Sequence, residues 1–425
     1  MDRRDFIGGA AASGIMILSS RTAFSYEANS AVRIGLLGCG SRGTTVATSF
    51  AKNTPARIVA LADLFPDQLA AAKTHFDQVN ASLGVPAIDP SLMFRSSHAF
   101  EELAASKAVD SIQISTPPWF HVQHLDAAIA AGKHAYCEKP LGVDVAQTQH
   151  ALEIGKRAQG RVSLDVGFQV RSAPPIAEVV RRIHAGDLGK LVCISAHYNA
   201  PNAVSHSGAN WSTDEFRLRN WLWDRVLSGD ILVEQNIHVI DLCNWIIGAH
   251  PIKATATGGR NAITHQGDTW DNYQVIYTYP NGVHLSFSST QWGNNGFFDV
   301  TERVFGEKGI AEAPYSGPVR IIGDNAWEWK PEGAPATAAP GTFAANGAFT
   351  DNLEFADREK DKAFIESIAS GQFHNQAQAG VDSALSAMLG RMAGQLGQEV
   401  TWEEQLQHGE RYTMNIDMSQ FGRGA

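Results

Sequence analysis

From residue 31 onward, short apolar runs alternate with helical stretches. The runs fall at 32–37, 58–62, 111–115, 134–137 and 163–168. Strands separated by helix-length segments predict a parallel sheet with crossover helices. Beyond about residue 189 the apolar runs lengthen, and Asn281 and Gly282 stand between two alternating runs as a hairpin turn. That half of the chain predicts a mostly antiparallel sheet. The fold class is therefore α/β, with an N-terminal domain over 31–155 and an α+β domain with a large open sheet over 156–425. A Pro-, Ala- and Gly-rich stretch at 331–348 predicts a surface loop, and no internal repeat is found.

A chain of 425 residues with 44% hydrophobic content is long enough for two ordinary domains, each with its own core. The formal charge of -10 gives no basic face for a phosphate backbone, which speaks against a nucleic-acid partner. Residues 1–30 change the picture more. Arg3 and Arg4 precede an apolar, Gly- and Ala-rich run to Leu18 and small residues around Ser25. This is the layout of a twin-arginine signal peptide, cleaved near Ser25, so the expected location is the periplasm, reached in the folded state. With no later run of about 20 apolar residues, stable membrane insertion after cleavage is not expected. Cys39, Cys137, Cys193 and Cys243 lack metal-ligand spacing and read as packed thiols, with no metal site.

The first chemical signal is Gly38-Cys39-Gly40-Ser41-Arg42-Gly43, placed between a strand and a helix. In a Rossmann fold Gly38 permits the tight turn, Gly40 lets the backbone approach a pyrophosphate, and Gly43 allows close helix–strand packing. The helix N-terminus then offers N–H groups and positive dipole to the phosphates. A second strand ends at Asp63, 20 residues beyond Gly43. A carboxylate there accepts from the adenosine ribose hydroxyls and repels a 2′-phosphate, favouring NAD over NADP.

The second constellation is Ser115-Thr116-Pro117-Pro118-Trp119-Phe120-His121, followed by Ala131-Gly132-Lys133-His134 and Glu138-Lys139-Pro140. With Gly167-Phe168-Gln169, Gly186-Asp187-Leu188-Gly189-Lys190 and the ending Gly397-Gln398-Glu399-Val400-Thr401-Trp402, the pattern resembles the glucose-fructose oxidoreductase, inositol dehydrogenase and rhizopine-catabolism family (Gfo/Idh/MocA) over nearly the whole mature chain. The resemblance implies cofactor contacts from Ser41, Arg42, Thr116, Pro117, His121 and Glu138, beside the glycines and Asp63. It implies that Lys139 meets substrate, that Lys139-Pro140 is cis, and that the helical stretches at 352–372 and 379–396 return to the nucleotide domain. At the end of a Rossmann strand, an ammonium stabilises a hydroxyl as it becomes alkoxide-like during hydride transfer.

The third element runs from Gly229 to Asp241. On one helix Glu234 and His238 are i and i+4, and Asp241 lies a turn further, so the three share a face of an otherwise apolar helix. An imidazole oriented by a carboxylate is a candidate general base. The stripe resembles the family's Asp-x-x-x-His motif, with Glu234 in place of Asp, which leaves the division of roles open. Gln169, Arg171 and Asp241 are further substrate candidates. Between Tyr198 and Trp223 lie Asn202, His206, Asn210, Trp211, Arg217, Arg219, Trp221 and Trp223, flat rings beside hydrogen-bonding groups that suit a sugar. Trp211 and Arg219 are favoured for substrate contact; Trp221 and Trp223 read equally well as packing.

The expectation is an exported oxidoreductase that passes hydride from a sugar or polyol to tightly bound NAD. His238 takes the proton, Lys139 steadies the oxygen and Glu234 orients His238. A redox-neutral glycoside-cleaving or sugar-dismutating enzyme is the rival, and a non-catalytic sugar sensor the alternative of another class. The open sheet suggests a homodimer or homotetramer.

Overall fold

Six parallel strands build the first sheet: β1 (Arg33–Leu37), β2 (Arg57–Asp63), β3 (Met93–Arg95), β4 (Ser111–Ile114), β5 (His134–Cys137) and β6 (Leu164–Val166). Their order, β3-β2-β1-β4-β5-β6, reverses between β1 and β4, the position at which doubly wound sheets open a ligand crevice. This is a computed structural model describing residues 31–201, 205–263, 267–292, 297–330 and 351–422. The expected signal peptide at 1–30, the whole of the Pro-rich stretch at 331–348 and Asn202 therefore lie outside the described residues. β3 has no counterpart in the apolar pattern, because a three-residue edge strand touching only β2 needs no buried run. The expected domain boundary at residue 155 also shifts. It falls inside the Val145–Ala158 helix, and the first sheet continues through β6.

The second sheet has nine strands: β7 (Leu191–Ala200), β8 (Lys253–Gly259), β9 (Asn272–Thr278), β10 (His284–Gln291), β11 (Asp299–Gly306), β12 (Gly309–Glu312), β13 (Arg320–Gly323), β14 (Trp327–Glu328) and β15 (Val400–Thr401). They are ordered β14-β13-β12-β11-β7-β10-β9-β8-β15, antiparallel throughout except for the central β7–β10 pair. The turn at Asn281 and Gly282 closes the β9–β10 hairpin, and both residues take positive φ as that geometry requires. Along β7, Ile194, Ala196, Tyr198 and Ala200 are buried while Val192 and Ser195 are exposed, so one face packs and the other stays open.

The covered face receives the helix Ile237–Ile247, whose residues from 237 to 244 are all buried. The helix Ala356–Ser370 crosses onto the first sheet's layer, where Phe364 meets Phe50 and Tyr136 edge-on. The helix Ala377–Leu396 lies against the Val145–Ala158 helix on one side and β8 on the other. Both sheets belong to one compact unit spanning 32–425. Among the described residues no helix is long and apolar enough to cross a membrane, and all four cysteines are free.

Candidate active site

The turn after β1 is shaped by three glycines for three reasons. Gly38 has φ +93°, and a Cβ there would lie 2.6 Å from the Ser115 backbone. On Gly43 it would lie 2.0 Å from the Gly38 carbonyl oxygen, whereas on Gly40 it would meet nothing within 4 Å. Gly40 thus faces open space at the N-terminus of the Ser41–Asn53 helix, whose first turn carries no acidic residue. That cradle suits a pyrophosphate. Asp63 closes its far side: its carboxylate accepts from Cys39 N at 2.6 Å and Phe65 N at 2.8 Å. Burial raises the Asp63 pKa, and the two backbone N–H groups oppose that rise. The residues present therefore fit a dinucleotide along the C-terminal edge of the sheet.

Lys139 follows β5, and its peptide bond to Pro140 is cis. Its ammonium donates to the Glu234 carboxylate at 2.7 Å and to the Glu234 backbone carbonyl. This pair corrects the expectation that Glu234 orients His238. The chain forms one short helix, Asp230–Glu234, passes through Gln235 and Asn236, and starts another at Ile237. With helix geometry interrupted, the i, i+4 register is lost, and Glu234 turns to Lys139. Upstream, Gly229 and Asp230 both take positive φ. The buried Asp230 carboxylate accepts from Ile231 N, Trp270 N and the Tyr273 hydroxyl, which fixes the start of the Glu234 helix.

His238 is 8% exposed, and its Nδ1 has no partner among the described residues. Phe168 stands edge-on to its ring at 6.2 Å. Burial first, then the positive charges of Lys139 and Arg42, hold the imidazole well below its ordinary pKa range. It is therefore neutral at pH 7, and it lies within the field of the same ammonium that Glu234 holds. Asp241, one turn on, does not reach this centre. It is buried, binds Arg171 through two 2.7 Å bonds and accepts from Ser383 at 2.7 Å. Arg171 and Asp241, both expected at the substrate, are thus committed to each other.

Arg42 points away from the cradle as well. It donates to Glu138 at 2.8 Å, Gln169 at 2.7 Å and Asp357 at 2.9 Å. Burial opposes its charge, but Asp357 and Glu138 outweigh that and raise its pKa well above the usual value. Arg42, Glu138 and Gln169, expected at cofactor or substrate, instead tie the glycine-rich helix to the Ala356–Ser370 helix. Lys360 completes the cluster at 2.7 Å from Asp357. His121 is buried, its two ring nitrogens 2.9 Å from the Pro140 carbonyl and 2.7 Å from that of Thr116. It braces the loops after β4 and β5 rather than facing a ligand. Thr116 and Pro117 remain on the loop beyond β4 at the crevice, with the Thr116 hydroxyl 3.0 Å from His124 Nδ1.

The 205–224 segment goes to a different place from the one expected. Arg219 lies over the Phe65 ring at 3.8 Å and the Trp211 ring at 4.7 Å, and binds Asp67 through two bonds of 2.8 and 2.9 Å. Phe65 and Asp67 follow Asp63 directly, so Arg219 and Trp211 stand at the adenosine end of the crevice. Arg217 binds Asp224, and the His206 backbone binds Asn220. Trp223 is core, Trp221 packs beneath the same segment, and Asn210 is exposed. The Tyr198 hydroxyl accepts from Gln235 at 3.2 Å.

Sequence reasoning missed Asp357, Lys360 and Arg391. The Arg391 guanidinium donates to the carbonyls of Val143 at 3.0 Å and Gly229 at 2.7 Å, joining the loop beyond Lys139 to the start of the Glu234 helix. All three lie over 200 residues from the glycine-rich turn, on helices whose apolar faces gave the only local signal.

Taken together, the strand order, the open glycine cradle and the polar cluster beside it define a dinucleotide-dependent enzyme of the Rossmann class. Residues 32–166 match the model of an oxidoreductase family with an NAD-binding Rossmann fold, and 176–312 match the GFO/IDH/MocA C-terminal domain. The two cover more than half of the chain, and the protein belongs to this Gfo/Idh/MocA oxidoreductase family. Inositol 2-dehydrogenase of Rhizobium meliloti is 27% identical over 293 residues, 68% of this chain and 78% of that protein. Scyllo-inositol dehydrogenase from Lactobacillus casei, solved with NAD(H) and scyllo-inositol, superposes with a TM-score of 0.63 at 18% identity, covering 88% of this chain and 98% of that one. Aldose-aldose oxidoreductase from Caulobacter crescentus gives 0.66 at 19% identity, covering 87% and 99%.

Proposed function

We propose that this protein oxidises a secondary hydroxyl of a sugar, polyol or glycoside. NAD bound along the glycine cradle supplies the hydride acceptor. The observation that carries this reading is the Lys139 ammonium at the end of β5, paired with Glu234, in whose field lies the neutral His238 imidazole, its Nδ1 without a partner among the described residues. A substrate hydroxyl entering between them would take over one of the ammonium's hydrogen bonds, and Lys139 would stabilise the oxygen as negative charge grows on it. His238, uncharged at working pH, accepts the hydroxyl proton. Glu234 sets the position of the ammonium. The Asp63 carboxylate supports NAD over NADP, because a 2′-phosphate would meet like charge.

The names of the inositol dehydrogenase relatives support a cyclic polyol or sugar as substrate. Arg3 and Arg4, ahead of a short apolar run, support folded export to the periplasm, and the open face of the second sheet supports a homodimer or homotetramer. The decisive experiment is Lys139→Met. Turnover of a polyol panel should fall by roughly 100- to 1,000-fold, the scale of losing one stabilising donor, with NAD affinity unchanged. Retained turnover refutes the assignment.

A further inference from the structure

We infer that the dinucleotide is captive: residues 409–422 and the 205–228 segment form a strap across the C-terminal edge of the first sheet that keeps the nucleotide bound through successive turnovers. This deepens the reading above and rests on its placement of NAD.

The path of the segment carries the inference. Tyr412 N donates to Asp144, just beyond the loop after β5, at 3.0 Å. Met414, Ile416, Met418 and Phe421 then join the apolar cluster built on Phe120 after β4, Leu218 and Leu227, to which Trp119 and, after β2, Leu64 and Phe65 also belong. Phe421 meets Phe65 edge-on at 6.0 Å, and its carbonyl accepts from Ser97 N, beyond β3, at 3.0 Å. The segment therefore runs from the outlets of β5 and β4 to those of β2 and β3, and β1 with its glycine turn stands between β4 and β2 in the strand order. That edge is where a doubly wound sheet binds its nucleotide.

The side chains fit such a path. From Tyr412 to Met418, even-numbered residues are half-buried and odd-numbered ones exposed, the period of an extended ribbon laid on a surface. No strand pairs with it among the described residues, so its fixings are apolar contacts and side-chain bonds. The 205–228 segment supplies the second layer. Arg217 donates to the carbonyls of Met414 and Asn415, each at 3.1 Å, and Asp214 accepts from Asp417 N and Gln420. Arg219, clamped between Phe65 and Trp211 and bound to Asp67, anchors that layer beside Asp63. For the nucleotide to leave past Asp63, this double layer must lift.

The test measures exchange, not activity. Holoenzyme is isolated from the producing cells, desalted, and mixed with isotope-labelled NAD; mass spectrometry follows uptake of label. The wild type should keep close to one nucleotide per chain through desalting and exchange slowly. Phe421→Ala and Arg217→Ala should exchange about tenfold faster or more, since weakening such contacts acts on dissociation. Thermal melting of each variant identifies any that is unfolded, and two independent sites guard against losing one. A wild type that desalts to free protein, or folded variants that exchange at the wild-type rate, overturn the proposal. No sugar is present, so a chain that holds NAD captively yet oxidises no polyol would refute the activity and leave the strap standing.

Discussion

Lys139 binds two oxygens of Glu234, and neither is a substrate's. The ammonium is thus pre-positioned by atoms that a sugar hydroxyl can replace, while His238 is kept neutral by burial and by that same positive charge. Asp230 carries a related strain on stability. Burial pushes its pKa up to about 6, against an ordinary 3.8. From about pH 4 to about pH 6 the folded chain holds a proton that the unfolded chain has lost, so this group's contribution to stability falls as pH rises through that window. Asp230→Asn removes the titration and tolerates positive φ. Between pH 5 and pH 8 the variant should gain about 1 to 2 kcal/mol on the wild type in urea unfolding. A constant difference across that range contradicts the shifted carboxyl.

The elements explain what the sequence could and could not disclose. The positions of the glycine turn, Asp63 and Lys139 were legible because each lies within a few residues of its own strand end. Glu234 and His238 were found as residues but misjoined: apolar residues resume at Ile237, so the stretch reads as one helix, although the polar triplet Glu234-Gln235-Asn236 is where the structure breaks it. Arg42 and His121 were assigned to the cofactor through the family resemblance, and Arg219 to the substrate as a hydrogen-bonding group among flat rings. Their actual partners, Asp357, the Pro140 carbonyl and Asp67, are set by packing between distant elements. Arg391 shows the energetic weight of such partners. Arg391→Met leaves the Val143 and Gly229 carbonyls without their charged donor, a loss of about 3 kcal/mol or more. Denaturant unfolding should show that loss, together with a lower kcat as the Lys139 loop and the Glu234 helix lose their common anchor. An unchanged midpoint argues that water replaces the guanidinium.

At the scale of the molecule, a captive nucleotide predicts stoichiometric reduction. Mixed with a polyol alone, holoenzyme should develop reduced-nucleotide absorbance up to one equivalent per chain and stop. Turnover should resume when a second carbonyl compound is added to receive the hydride. Continuous accumulation of free NADH would instead mark an ordinary exchanging dehydrogenase. The helix Ala377–Leu396 has its own consequence. It fastens the Lys139 loop and the Glu234 helix through Arg391, and the His238 helix through Ser383 and Asp241. The groups that would flank a sugar are therefore fastened to one helix, which predicts little movement of the two sheets relative to each other. Selectivity must then come from the fixed contour of the site, and the radius of gyration in solution should stay the same whether or not a sugar is bound.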